Sequence, residues 1–150
     1  MKKHLSAQDL ETMVSKLQSV DNASELSTSS VRFPDYDKRP DIGSMKICGF
    51  VIPKGPVVGT NSMQVQVVQA DDAALTTNLE VLALSPAALV LVEDTPVVVD
   101  VPEGSITREY VGLRYIFGGT SVPVDAWIAL QDQVAVNPYF ANPFKNINEI

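Results

Sequence analysis

The chain has 150 residues, 45% of them hydrophobic, with a net charge of −7, one Cys and one His; that length suits one domain with a sizeable core. The acidic balance excludes a nucleic-acid binder, which needs a basic face to displace counterions, and excludes docking on an anionic membrane. The absence of a run of about 18 apolar residues leaves nothing to span a bilayer, and the lone Cys48 closes no internal disulfide, which fits folding in a reducing compartment.

In chain order, the first expected element is a helix over residues 6–19. Ser6 is a suitable N-cap with Asp9 three residues on, Leu5 and Leu10 fit a hydrophobic staple, and Leu10, Met13, Val14 and Leu17 recur at helical spacing. The basic start Met1-Lys2-Lys3-His4 runs into Gln8, Asp9 and Glu11 with no apolar stretch between, so no signal peptide is expected. Residues 21–44, punctuated by Pro34, Pro40 and Gly43, read as an extended polar connector.

From Met45 the pattern turns to short strands between Pro/Gly turns: residues 46–52, 62–70, 79–84, 89–92, 96–101, 108–117 and 124–131. In 62–70, Met63, Val65 and Val67 alternate with Gln64 and Gln66, which predicts one buried and one wet face. The valine-rich stretch 96–101 is expected to be buried on both faces. In 108–117, Val111, Leu113, Tyr115 and Phe117 form the face expected inside. Gly118-Gly119 is read as the turn of a hairpin into 124–131, where Val124, Ala126, Ile128 and Leu130 alternate with Asp125, Trp127 and Ala129. These strands predict an all-β fold, an antiparallel jelly-roll-like β-sandwich with an N-terminal helix and extended terminal arms. The expected division is 1–44 for helix and connector, 45–133 for the sandwich and 134–150 for an arm. That arm carries Asn137-Pro138-Tyr139-Phe140 and Asn142-Pro143-Phe144, whose prolines disfavour helix.

The chemistry-bearing residues are sparse. A Ser-His-Asp or Cys-His scheme would have to use His4, which sits near a fraying end. Cys48 lies within a strand pattern and reads as a small buried hydrophobe. One Cys and one His make a zinc site unexpected. The acidic run Asp35, Asp37 and Asp41 lacks the glycine turn and terminal glutamate of a calcium loop and reads as a solvated connector. Gly118-Gly119-Thr120-Ser121 follows a strand but leads into another strand with no Lys, so it is a turn and not a phosphate loop. The expectation is a binding protein and not an enzyme, with no metal and no cofactor.

The stretch Val101-Pro102-Glu103-Gly104, then Arg108-Glu109-Tyr110-Val111-Gly112-Leu113-Arg114-Tyr115, then Gly118-Gly119 and Val124-Asp125-Ala126-Trp127-Ile128-Ala129-Leu130, resembles the C-terminal half of the capsid cement (decoration) proteins of tailed phages, of the type described for Bordetella phage. Met63-Gln64-Val65-Gln66-Val67-Val68 followed by Asp71-Asp72-Ala73-Ala74 resembles that family's middle strand and acidic turn. The resemblance covers roughly residues 45–132.

It implies a jelly-roll-like sandwich made in the host cytoplasm that assembles on the capsid exterior and clamps major capsid subunits together. The implied partners are the major capsid protein and the chain itself, as a homodimer or homotrimer. The partner-binding candidates are Leu10, Met13 and Leu17 on the expected helix and Tyr139, Phe140 and Phe144 on the arm. The alternative is a receptor- or carbohydrate-binding sandwich of a tail or fibre, with Trp127 and Tyr110 as sugar platforms; Trp127 reads first as a core or interface residue.

Overall fold

The computed structural model describes residues 13–21, 23–33, 46–55, 61–87 and 89–131, and these form an antiparallel β-sandwich. Its strands are β1 (Met13–Val20), β2 (Ser24–Leu26), β3 (Val31–Arg32), β4 (Ile47–Pro53), β5 (Ser62–Ala70), β6 (Glu80–Leu84), β7 (Leu89–Val90), β8 (Val97–Asp100), β9 (Tyr110–Gly118) and β10 (Val122–Leu130). One sheet has the order β1-β10-β4-β8. In the other, β9 and β5 lie side by side, β2 and β3 pair in succession along the outer side of β9, and β6 and β7 pair in succession along β5. If β2 with β3, and β6 with β7, are each taken as one interrupted strand, eight strands make two sheets of four in the orders 1-8-3-6 and 2-7-4-5. That interleaving is the doubled Greek key of a jelly roll.

The core follows from alternation. Val111, Leu113, Tyr115 and Phe117 of β9 and Met63, Val65 and Val67 of β5 face inward, opposite Ile47 and Val51 of β4 and Val122, Val124, Ala126 and Ile128 of β10. The face expected inside on β9 is the face that is buried. On β5 the face expected to be wet is largely covered, since Gln66, Val68 and Ala70 are buried, and Gln69, on the inward face with Met63, Val65 and Val67, is buried as well. Gln66 accepts from Arg114 Nε at 2.8 Å, and Gln69 Oε1 accepts from the backbone N–H groups of Thr107 (2.9 Å) and Arg108 (3.2 Å). Farther along β5, Val68 and Ala70 are covered by Leu75 from the loop after the strand. Asp72 organises that loop by accepting from the amides of Thr76 and Thr77, both at 2.8 Å.

Four expectations change. Over residues 13–19 the expected helix is a strand. Val14 and Val20 point into the core, and β1 pairs with β10 through two register shifts, between Met13 and Ser15 and between Ser15 and Gln18. These bulges add residues that break strict alternation, which leaves apolar residues at a spacing that imitates a helix. Leu17 sits in one irregularity at φ 46°, its N–H donating to Asp125 Oδ1 at 2.7 Å. A lone helix of this length is marginal in water, whereas the edge of β10 offers a full ladder.

The connector is likewise part of the sheet where it is described, through β2 and β3, so with β1 the sandwich takes in residues well before 45. Strands of two and three residues leave no period to read. The expected hairpin is a crossover: β9 and β10 lie in different sheets, and Gly118-Gly119 carries the chain from one to the other. Gly119 takes φ 126°, and a Cβ there would stand 2.1 Å from Asn61 Oδ1, the atom that accepts the Thr120 N–H at 2.9 Å. Last, residues 97–100 form an edge strand paired with β4 alone among the described residues, with Val98 exposed. The expected parts of the helix before residue 13, the rest of the connector from 34 to 45, and the arm at 134–150 lie outside the described residues.

Candidate interaction surface

Of the six residues expected to bind partners, Met13 and Leu17 are among the described residues. Leu10, Tyr139, Phe140 and Phe144 lie outside the described residues. Met13 is half-buried against the cluster of Cys48, Phe50, Ile52, Trp127 and Ala129 on the outward side of the β4–β10 pair. Leu17 is 59% exposed at its bulge.

That outer cluster is itself buried. Phe50 and Trp127 meet edge to face with ring centroids 6.0 Å apart, and Trp127 is only 6% exposed, as its first reading expected. A ring so covered offers no platform to a sugar, and Tyr110 is half-buried beside Val68 and Leu75. Trp127 Nε1 has no hydrogen-bond partner among the described residues. Cys48 beside it is fully buried, and desolvation, helped by the charge of Asp100, pushes its pKa up to about 12, so the thiol stays protonated and unreactive.

Inside the core, the Tyr115 hydroxyl is buried and shares a 2.8 Å hydrogen bond with Ser15 Oγ; burial raises its pKa. This polar bridge ties β9 of one sheet to β1 of the other. Among the described residues no group of three His, Cys, Asp or Glu is arranged to hold a metal ion.

The charged cluster of note sits where the chain enters β9. Arg108 is paired with both Asp71 (3.0 Å) and Glu80, and Gln69 Nε2 donates to Glu80 at 3.1 Å. Asn78 and then Arg108 hold the Asp71 carboxyl below its ordinary range, and Arg108 followed by Gln69 does the same for Glu80. The Arg108 cation is therefore matched on both sides, and the arrangement clamps the β5–β6 connection to the approach to β9. One guanidinium against two carboxylates leaves the cluster net negative, with its cation fully engaged.

Exposed apolar surface gathers along the rim where β6 and β7 end one sheet and β8 ends the other. Among the described residues the exposed large apolar side chains are Val81, Leu84, Val90, Val92 and Val98 along this rim, with Leu17 and Ile116 elsewhere. Between β7 and β8 a groove of about 330 Å³ is lined by Pro86, Leu89, Val90, Val92, Pro96 and Val98, among others.

The backbone explains the layout. Ser85 is locked to β5 by two bonds with Val65, its N–H donating to Val65 O (2.8 Å) and its Oγ accepting from Val65 N (2.9 Å). Leu91 is buried as an anchor, its N–H donating to Asn61 O, which turns its neighbours Val90 and Val92 outward. The turn that follows is closed by Thr95 N–H to Val92 O (3.1 Å), with Asp94 at φ 62° and its N–H donating to Pro53 O (2.8 Å). The rim is thus apolar and fixed in shape.

No residue of this rim was among the sequence-derived candidates. The available signal was the run from Leu89 to Val99, in which the apolar pieces Leu89-Val90-Leu91-Val92 and Val97-Val98-Val99 are separated by Glu93, Asp94, Thr95 and Pro96. Too many apolar residues stand there, in pieces too short, for all of them to face one core. The chain matches no model of a known protein family, and no curated protein is similar to it.

Proposed function

We propose that the protein is a virion structural protein that binds the outside of a phage capsid and cements adjacent major capsid subunits, acting by binding and not by catalysis. The observation that carries this reading is the fixed apolar rim of Leu84, Val90, Val92 and Val98 on a rigid jelly roll. Contiguous exposed apolar surface on a soluble domain marks a contact site for another protein. The doubled Greek key recurs in viral capsid and lectin domains, which supports the reading as a fold-level analogy.

The residues that carry the family resemblance occupy coherent structural positions. Pro102-Glu103-Gly104 is the turn after β8, Arg108 to Tyr115 enters and forms β9, Gly118-Gly119 is the crossover, and Val124 to Leu130 is β10. A capsid holds many equivalent sites, so a clip of modest single-site affinity is retained once several contacts engage together. The major capsid protein and sister copies of this chain are the partners in this reading.

The experiment is co-sedimentation of the purified full-length chain with empty capsids of the phage that encodes it. Saturable retention supports the reading. Protein left in the supernatant at every input, together with binding on a glycan array, overturns it in favour of a receptor-binding module.

A further inference from the structure

We infer that β8 is an acceptor for an extended segment of a partner protein, one with alternating apolar residues flanked by lysine or arginine, which docks as an added strand beside Val97–Asp100. The inference rests on the reading of this chain as a protein-binding module and names the chemistry of what it binds.

Three observations lead there. First, β8 is the last strand of its sheet and has a strand neighbour on one side only among the described residues. Its hydrogen-bonding phase follows from one contact: Val101 N–H donates to Ile47 O at 2.9 Å, and the register continues as Asp100 with Cys48, Val99 with Gly49, Val98 with Phe50 and Val97 with Val51. Bonded and non-bonded positions alternate in an antiparallel pair, so Val101, Val99 and Val97 point their backbone groups at β4. The N–H and C=O of Val98 and Asp100 therefore face the open edge.

Second, two of the devices that normally blunt an edge are missing from this one. No proline or lysine stands within Val97–Asp100, and Val98 is exposed beside the apolar groove lined by Val90 and Val92. A strand laid here gains main-chain hydrogen bonds from the edge and a slot for alternate side chains from the groove, the mode by which extended peptides complete exposed sheets.

Third, charge selects the occupant. Glu93 and Asp94 precede the strand, Asp100 ends it and Glu103 follows it, against Lys54, which is 3.7 Å from Asp94, and Lys46, which shares a depression with Asp100 and Glu103. Both ends of β8 are acidic, as is the chain at −7. A second copy would bring the same carboxylates to the same edge, whereas a basic-flanked segment meets opposite charge at both ends.

The test uses the full chain, isotopically labelled, titrated with two synthetic peptides of alternating valine and threonine, one flanked by lysines and the other by glutamates. The expected result is that the lysine-flanked peptide shifts the amide resonances of Val98 and Asp100 most. The glutamate-flanked twin should bind at least ~10-fold more weakly, since like charges across a contact are costly. Added salt should weaken the first peptide. Val98→Pro removes an edge donor that the β4 ladder does not use, and should abolish binding; Val98→Lys, which guards the edge without altering the backbone, should do the same should the proline variant fold poorly. Equal binding of the two peptides, shifts centred on another surface, or unchanged binding by a folded Val98→Lys variant overturns the inference. So does a dimer in sedimentation velocity that Val98→Lys dissolves, since the edge then belongs to a second copy. Capsid co-sedimentation separates this from the functional reading: wild type and Val98→Lys retained alike sinks the edge mechanism alone, and peptide binding without capsid retention sinks the capsid reading alone.

Discussion

The contact between Gly49 of one sheet and Leu113 of the other yields a prediction in which two damaging substitutions repair each other. Gly49 belongs to β4 and Leu113 to β9; a Cβ at position 49 would stand 2.8 Å from Leu113 Cδ2 and 3.0 Å from Val67 Cγ2. Gly49→Ala alone overpacks a core in which Leu113 and Val67 are fully buried, and should cost about 1–3 kcal/mol. Leu113→Ala alone removes the side chain that fills the space over the glycine and leaves a cavity that Gly49 has no side chain to fill. It should cost about 2–5 kcal/mol.

In the double variant the new methyl at 49 enters the space vacated by Leu113 Cδ2. The total should fall short of the sum of the singles by ~1 kcal/mol or more, well outside the ~0.5 kcal/mol within which independent sites add. Urea unfolding of the four proteins, followed by the fluorescence of Trp127, gives the cycle directly. A shift of about 2–4 °C in Tm per kcal/mol provides a second reading for a chain of this length. Additive costs would refute the face-to-face register of β4 and β9, and with it the packing of the two sheets.

Three further outcomes follow from the same structure. Cys48 should resist thiol reagents at pH 8 at a rate set by global unfolding. Its pKa is raised in the folded state, so the unfolded chain ionises first above its ordinary value of 9.0 and stability falls as pH rises from there toward about 12; Cys48→Ala should flatten the slope between pH 9.0 and 10.0, before Tyr115, also raised by burial from 10.0, adds its own, and an unchanged slope in that window would contradict the assignment. Asp71 and Glu80 are depressed in the folded state, so their contribution is present above their ordinary values of 3.8 and 4.5 and is lost as pH falls through the folded values. Arg108→Ala should therefore lower the urea midpoint at pH 7, with the gap to wild type closing in acid. Gly119→Ala, at φ 126° with Asn61 Oδ1 in the way, should destabilise by about 1–3 kcal/mol, whereas Gly118→Ala, with its nearest atom 3.5 Å away, should change urea stability far less.

How far the sequence speaks depends on which physical rule decides each element. Regular alternation decides β5, β9 and β10, so their limits and inward faces were legible from Met63, Val65, Val111, Leu113 and Ile128. Alternation carries no information on partners, which is why the Gly118-Gly119 crossover reads like a hairpin. In β1 the bulges around Ser15 and Leu17 erase the two-residue period and leave a helical one. Ser24–Leu26 and Val31–Arg32 are too short for any period and are strands because β9 offers them an edge. The interaction surface was the least legible feature. Aromatic residues in the terminal segment drew attention as anchors, while Leu84, Val90, Val92 and Val98 looked like ordinary strand residues. Only the three-dimensional meeting of two sheet edges leaves them exposed together.

The claim that the protein cements a capsid is tested most directly by scanning calorimetry of empty capsids, with and without saturating amounts of the full-length chain. Binding to adjacent subunits in the assembled shell, and not to separated ones, must stabilise the shell by mass action. The account predicts a capsid melting temperature that rises with occupancy and a rise that Val98→Lys reduces. An unchanged melting temperature on capsids shown by sedimentation to carry the protein would contradict it.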